Sequence, residues 1–451
     1  MLLLDISYMI AFALVSPLML VMLLIRPSFR AGALSRFWPA VGSAPSSRQT
    51  VWLHGSSAGE IDLLRALVTR IESMPGDYRI VISAFSVSGN TAARKAFPDH
   101  PVIVFPVDFS PVVRYFLKII QPRLIVLVES ELWPNFLATV DRAGIPICLL
   151  NARMSEKSFR NHSRLPLIPW ALRKLSMLAA QTEEDAARFR ALGFSADRLH
   201  VTGNMKYDLC DIGVADEASA LRRQLREEFG VGPSTPVFIG GSVHRGEDKV
   251  LAQAYQRLIS TDRKLLLVIV PRYTADAKAM VSELEQLKLT GVRRSRLQEG
   301  QSRVFDDPSR VLIVDTMGEL KQFYAMSDIA YVGGSLEYRG SNKGGHNLME
   351  PAALGLAVLF GPHNYSFRET VRDLLDAEAG SLVHDVDEMQ TILEHLLDDP
   401  LARTDMGQRA RSVVLDNRGA ARQNLNLLRN YLSPDKPLSD KFTNEGSCIQ
   451  S

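Results

Sequence analysis

Short, unbroken apolar runs recur from Val51 to Phe360, and most end abruptly in glycine or polar residues that open a helical pattern. Val51-Trp-Leu53 leads into His54-Gly-Ser-Ser-Ala-Gly-Glu60, after which Ile61, Leu64, Leu67 and Ile71 repeat at helical spacing. Residues 79–84, 102–107, 124–128, 145–150 and 177–180 carry the pattern through the first half. Residues 237–241, 265–270, 311–314, 329–332 and 358–360 carry it through the second. Runs of this kind are strands buried on both faces, so the pattern predicts an α/β protein with parallel sheets. With 451 residues there is room for two or three domains. The polar, helical stretch from Asp211 to Arg226 reads as the link between them.

Composition excludes several classes. A net charge of +2 gives no general nucleic-acid signature. Cys148, Cys210 and Cys448 are far apart and odd in number, which argues for a reducing compartment without a disulfide framework. His54, His244, His346 and His363 lack ligand spacing, so no metal site is expected.

The amino terminus is different. Ile6 to Ile25 is almost wholly apolar, and about 20 residues at ~1.5 Å each span the ~30 Å of a bilayer core. Asp5 precedes the run, and Arg26, Arg30 and Arg36 follow it. A secretory signal carries its positive charge in front. This pattern instead predicts an anchor with the body of the protein on the cytoplasmic side. A buried core helix or a monotopic anchor is the alternative.

Glu60 has two readings. Ser57-x-x-Glu60 is a capping box. Equally, Glu60 stands at a strand–turn–helix junction, where α/β proteins bind ligands, and could serve as a base. Glu129 and Glu131 follow the run 124–128 directly. Strand alternation points them the same way, and two such carboxylates raise each other's pKa unless a cation compensates. The alternative is a capped loop in which Pro134 starts a helix. Lys206 is marked only by its position after a strand and Gly203.

In the second half, Tyr331-Val-Gly-Gly-Ser335 and Gly344-Gly345-His-Asn347 read as a glycine-rich loop opening a helix, a setting for an anion or nucleotide. Asn347-x-x-Glu350 has capping-box spacing. Pro351, however, suits the first helical position, which leaves Glu350 outside the helix and open to a ligand. Leu425 to Leu432 reads as a late helix, and the polar tail from Ser433 as disordered.

Taken together, HGSSAGE, ESELWPN, NARMS, QTEEDAARF, TGNMKYD, GGSVHRGED, PRY, DTMGEL, GGHNLMEPAALG and GPHNYSFRE resemble, in order, the 3-deoxy-D-manno-octulosonic acid (Kdo) transferases, as does the apolar amino terminus. The resemblance runs to about residue 430. It implies a GT-B fold, two Rossmann-like domains facing a cleft, with an N-terminal membrane anchor helix. The implied layout is an anchor at 1–28, an acceptor domain at 45–210, a donor domain at 230–415, and a late helix, 416–432, packing back on the first domain. It implies inverting transfer of Kdo from CMP-Kdo to a lipid A precursor at the cytoplasmic face of the inner membrane, without a metal or other cofactor.

By the same resemblance Glu60 is the general base, and Glu129 (or Glu131) with Lys206 stabilises the transition state. Pro271, Arg272, Met317, Gly318, Glu319, Gly345, Asn347, Leu348, Met349 and Glu350 form the CMP-binding segments, with Arg272 toward phosphate and Glu350 on the ribose. Two departures stand out: residues 336–343 make the loop longer than is usual, and Leu348 replaces a common proline. The competing readings are another GT-B sugar-nucleotide enzyme, a UDP-sugar transferase or an epimerase, and a membrane-tethered binding protein without activity.

Overall fold

The structure is a computed structural model, and it describes residues 5–6, 34–39, 41, 48–210, 215–297, 305, 307–338, 340 and 344–432. The chain divides into two compact units, Met1–Leu209 with Arg418–Ser451, and Cys210–Asn417.

The first unit is built on β1 (Gln49–His54), β2 (Tyr78–Ala84), β3 (Val102–Val104), β4 (Pro122–Val128), β5 (Ile147–Ala152), β6 (Met177–Ala180) and β7 (Leu199–Val201). All neighbours run parallel, in the order β3-β2-β1-β4-β5-β6-β7. The absence of polar alternation has a simple cause. Val51, Leu53, Leu124 and Val126 enter one buried cluster, while Trp52, Ile125 and Leu127 enter another on the opposite face. Helix Ala420–Leu432 completes the first cluster with Leu425, Leu428 and Leu432. Its start is held by Asp208, whose carboxylate accepts from the N–H groups of Gly419 (2.9 Å) and Ala421 (2.7 Å).

The second unit repeats the plan with β8 (Val237–Val243), β9 (Leu266–Pro271), β10 (Thr290–Arg293), β11 (Arg310–Ile313), β12 (Ile329–Val332), β13 (Ala357–Phe360) and β14 (Gly380–Leu382). These are parallel, in the order β10-β11-β9-β8-β12-β13-β14. The first sheet's order reverses between β1 and β4, and the second's reverses between β8 and β12, with β10 and β11 also exchanged at its far edge. In open parallel sheets that reversal opens a crevice at the carboxyl ends of the two strands, where ligands bind.

The stretch expected to link the units does otherwise. Its helix, Ala215–Glu228, belongs to the second unit. Leu225 joins the core there, and Arg226, 6% exposed, donates to the carbonyls of Met326, Gly232 and Thr235. Arg222 pairs with Asp328 at 2.7 Å. The polarity that looked like a linker is a set of arginines serving carbonyl groups beside β12.

Among the described residues no helix is long and apolar enough to cross a membrane. Apart from Asp5 and Ile6, the expected anchor at 1–28 lies outside the described residues, as does the tail 433–451. Asp5 itself accepts from the Ser110 hydroxyl at 2.9 Å, where helix Ser110–Ile120 begins.

Candidate active site

In the first unit the candidate residues gather at the ends of β1 and β4. Ser57 caps helix Ala58–Glu72, and its hydroxyl donates to Glu60 Oε1 at 2.8 Å. The Ser56 N–H donates to the other carboxylate oxygen at 2.7 Å. The capping contact therefore exists, and it also fixes the carboxylate over the turn. Burial pushes the Glu60 carboxyl up to about 7; the bonds from Ser56 and Ser57 oppose the shift, and the charges of Glu129 and Glu131 add to it.

Glu129 does not continue the strand. Its φ is 65°, a left-handed conformation that ends β4 and cancels strand alternation. Its buried carboxylate meets Lys206 Nζ at 3.2 Å and Arg153 at 3.4 Å. Glu131 turns to other partners: Trp133 Nε1 donates to it at 2.6 Å, and His54 Nε2 lies 3.5 Å away. Burial acts to raise its pKa, but the contacts of His54, Trp133 and Ser56 prevail and hold it below the usual carboxylate range. The expectation that Glu129 and Glu131 point together as a mutually strained pair is thus corrected.

Asn151 anchors the same region. It is fully buried with φ 53°, and its side-chain oxygen accepts the Met205 N–H at 2.8 Å, which sets the turn carrying Lys206. A row of rings backs the site. His54 stacks on Phe105 (3.9 Å), Trp133 stacks on Phe85 (5.0 Å), and the Arg36 guanidinium lies 4.1 Å above Phe85. Arg153, Asn151 and His54 were given no role from the sequence. The only available signal was their position at the ends of β5 and β1.

In the second unit a single carboxylate organises the site. Glu247 is fully buried and accepts five hydrogen bonds, from Tyr331 Oη and from the N–H groups of His244, Gly334, Ser335 and Leu336. It ties the turn after β8 to the glycine loop after β12. A Cβ on Gly333 would meet the Ser242 carbonyl oxygen at 2.5 Å, and one on Gly344 the His363 carbonyl oxygen at 2.3 Å, so close packing demands glycine there.

Asn347 Nδ2 donates to Glu350 Oε1 at 3.0 Å, and the Met349 N–H donates to Asn347 Oδ1. Helix Met349–Ala353 begins before Pro351 and includes Glu350. The expectation that Pro351 starts the helix and leaves Glu350 outside it is therefore corrected; nor does Asn347 form a capping box, since Leu348 is the N-cap and the Asn347 side chain holds the Met349 N–H and the Glu350 carboxylate instead. Burial raises the Glu350 pKa, against the Asn347 bond and the charge of Lys321. Leu348 and Met349 are buried, so only their backbone can face a ligand. The common proline is absent, and Leu348 fills core space instead.

Pro271 closes β9, and Arg272 is exposed beyond it. Met317 is 87% exposed, and Gly318 (φ 88°) has open space around it, while the Glu319 carboxylate is engaged by Thr316 Oγ1 and lies 3.6 Å from Arg294. Gly345 donates its N–H to the Gly334 carbonyl at 2.6 Å. His244 and His346 meet with Nε2 atoms 2.9 Å apart. His363 stacks on Tyr365 and meets Tyr338 edge to face. Among the described residues no group of three or more His, Cys, Asp or Glu could hold a metal ion.

Comparison with known proteins identifies the family. Residues 32–209 match the family model described as 3-deoxy-D-manno-octulosonic-acid transferase (kdotransferase). The 3-deoxy-D-manno-octulosonic acid transferase of Bordetella pertussis is 31% identical over 414 residues, 89% of this chain and 90% of that one. The Haemophilus influenzae protein of the same name is 29% identical over 412 residues, 90% of this chain and 92% of its own. Among solved structures, UDP-GlcNAc 2-epimerase from Neisseria meningitidis superposes with a TM-score of 0.57 at 13% identity, over 85% of this chain and all of that one, a likeness of fold alone. With identity of this level spread along nearly its whole length, the chain belongs to the 3-deoxy-D-manno-octulosonic acid transferase family and is a glycosyltransferase.

Proposed function

We propose that the protein transfers Kdo from CMP-Kdo to a hydroxyl of a lipid A precursor, with inversion, in lipopolysaccharide core biosynthesis. The observation that carries the mechanism is Glu60. A carboxyl held by Ser56 and Ser57 and raised to about 7 is matched to taking a proton at neutral pH. As the acceptor hydroxyl attacks the anomeric carbon, its proton passes to Glu60 and the bond to the CMP phosphate breaks. Lys206, which shares Glu129 with Arg153, supplies positive charge to the transition state.

In the second unit Arg272 takes the phosphate, the open turn 317–319 takes the base, and Glu350 takes the ribose. The departing group is a nucleoside monophosphate, and arginine, lysine and backbone N–H groups suffice for its charge, so the reaction needs no metal. The amphiphilic acceptor suits a protein tethered to the inner membrane on its cytoplasmic side by residues 1–28, with the charges of Arg26 to Arg36 near anionic headgroups.

The test is Glu60→Gln, assayed for product by mass spectrometry from CMP-Kdo and lipid A precursor. Transfer should fall by ~10²–10⁴-fold, the usual contribution of a general base, with CMP binding retained. Near-normal transfer would remove Glu60 from the chemistry, and an absence of product from the unaltered protein would remove the assigned reaction.

A further inference from the structure

We infer that His244 and His346 form a proton-linked contact for the phosphate of the nucleotide donor, an inference that rests on the donor reading above. His244 follows β8, and His346 ends the loop after β12, so the pair stands at the reversal point of the second sheet, where its ligand crevice opens. The two rings are nearly coplanar and meet end to end, with centroids 5.1 Å apart and planes 9° from parallel. Tyr273 meets His244 edge to face at 5.7 Å, and the Arg272 guanidinium lies 5.7 Å over Tyr273. A continuous row thus joins Arg272, the candidate phosphate contact, to Gly345 and Asn347. The pair lies between two donor segments that are far apart in sequence.

The chemistry follows from one distance. Nε2 atoms 2.9 Å apart share a single proton: one imidazole donates and the other accepts through its lone pair. In that arrangement the pair holds at most one positive charge. A second proton breaks the bond and turns both Nε2 atoms into donors, a form that an anion stabilises. Binding of phosphate and uptake of a proton are then linked.

Surrounding groups favour this assignment. Glu247 beside His244 already accepts five hydrogen bonds, so its charge is taken up by fixed donors. Arg245 and Arg272 add positive charge, and Tyr273, Glu337 and His363 lie on the adjoining turns. Gly334 packs under His346 so closely that a Cβ would come within 2.8 Å of the ring. Both imidazoles are therefore fixed where they meet.

The experiment is calorimetry of CMP binding to the full chain at one pH, in two buffers of different ionisation heat. The unaltered protein should take up as much as one proton per CMP bound. Above the second phosphate ionisation, near pH ~6, its affinity should fall by up to ~10-fold per pH unit. His346→Gln and His244→Gln keep a donor but cannot titrate, and each should show no uptake and a flatter pH profile. Cytidine, which lacks phosphate, should bind without uptake. CMP binding to the unaltered protein without proton uptake overturns the inference alone, as does equal uptake with cytidine or with both variants. Failure of the unaltered protein to bind CMP overturns the donor reading and this inference with it.

Discussion

Replacing Glu247 with glutamine tests whether one buried carboxylate holds the glycine loop of the second unit. Its Oε2 accepts from the N–H groups of His244 (2.9 Å) and Gly334 (2.7 Å). Its Oε1 accepts from Tyr331 Oη (3.0 Å) and from the N–H groups of Ser335 (3.0 Å) and Leu336 (3.1 Å). Glutamine has the same shape but one oxygen. In its better orientation the oxygen serves the three donors, and the NH₂ group faces two buried N–H groups. A buried donor left without an acceptor costs ~1–3 kcal/mol, so Glu247→Gln should cost roughly 2–6 kcal/mol. At ~2–4 °C per kcal/mol for a unit of this size, melting should drop by roughly 4–24 °C. Differential scanning calorimetry of the full chain reads this directly, and CMP should protect the variant less than the parent. Unchanged melting together with unchanged CMP affinity would refute the clamp.

Two other expectations need simpler assays. The Glu60 carboxyl must be unprotonated to act as a base, so kcat/KM should rise with pH through a limb near 7; Glu131→Gln removes a repelling charge and should move that limb to lower pH, while a limb that stays or climbs would discredit the electrostatic account. Gly407→Ala puts a Cβ 2.0 Å from the Gly355 carbonyl oxygen, a backbone atom that cannot rotate away, and should lower melting by roughly 2–12 °C for an overpacking cost of ~1–3 kcal/mol; an unaltered melt would mean that helix Pro400–Asp416 shifts freely.

Long, doubly buried strands were legible because both faces need apolar residues. Runs such as 124–128 and 265–270 allow little else. The edge strands β10, Thr-Gly-Val-Arg, and β14, Gly-Ser-Leu, were not, because an edge is partly solvated and tolerates polar residues. Strand-end placement of Glu60, Glu129, Lys206 and Glu350 could be read from local pattern alone. Their orientations could not. The left-handed Glu129 is set by Leu150 across the sheet, which accepts its N–H, and by two cations from distant turns. The meeting of His244 with His346, and the reach of Glu247 to the β12 loop, depend on strand order. Nothing in a local window of sequence encodes that order.

Helix Ala420–Leu432 has a consequence for how the chain is made. A ribosome that has released residues 1–209 has delivered all seven strands of the first sheet, but not Leu425, Leu428 and Leu432, which seal one side of it. At ~5–20 residues per second, the remaining 223 positions to Leu432 (432 − 209) take about 11–45 s to synthesise. Through that interval the earliest half of the protein waits with greasy surface uncovered. The half synthesised later can mature ahead of it, and a stalled or truncated translation product leaves the Glu60-bearing half unsealed.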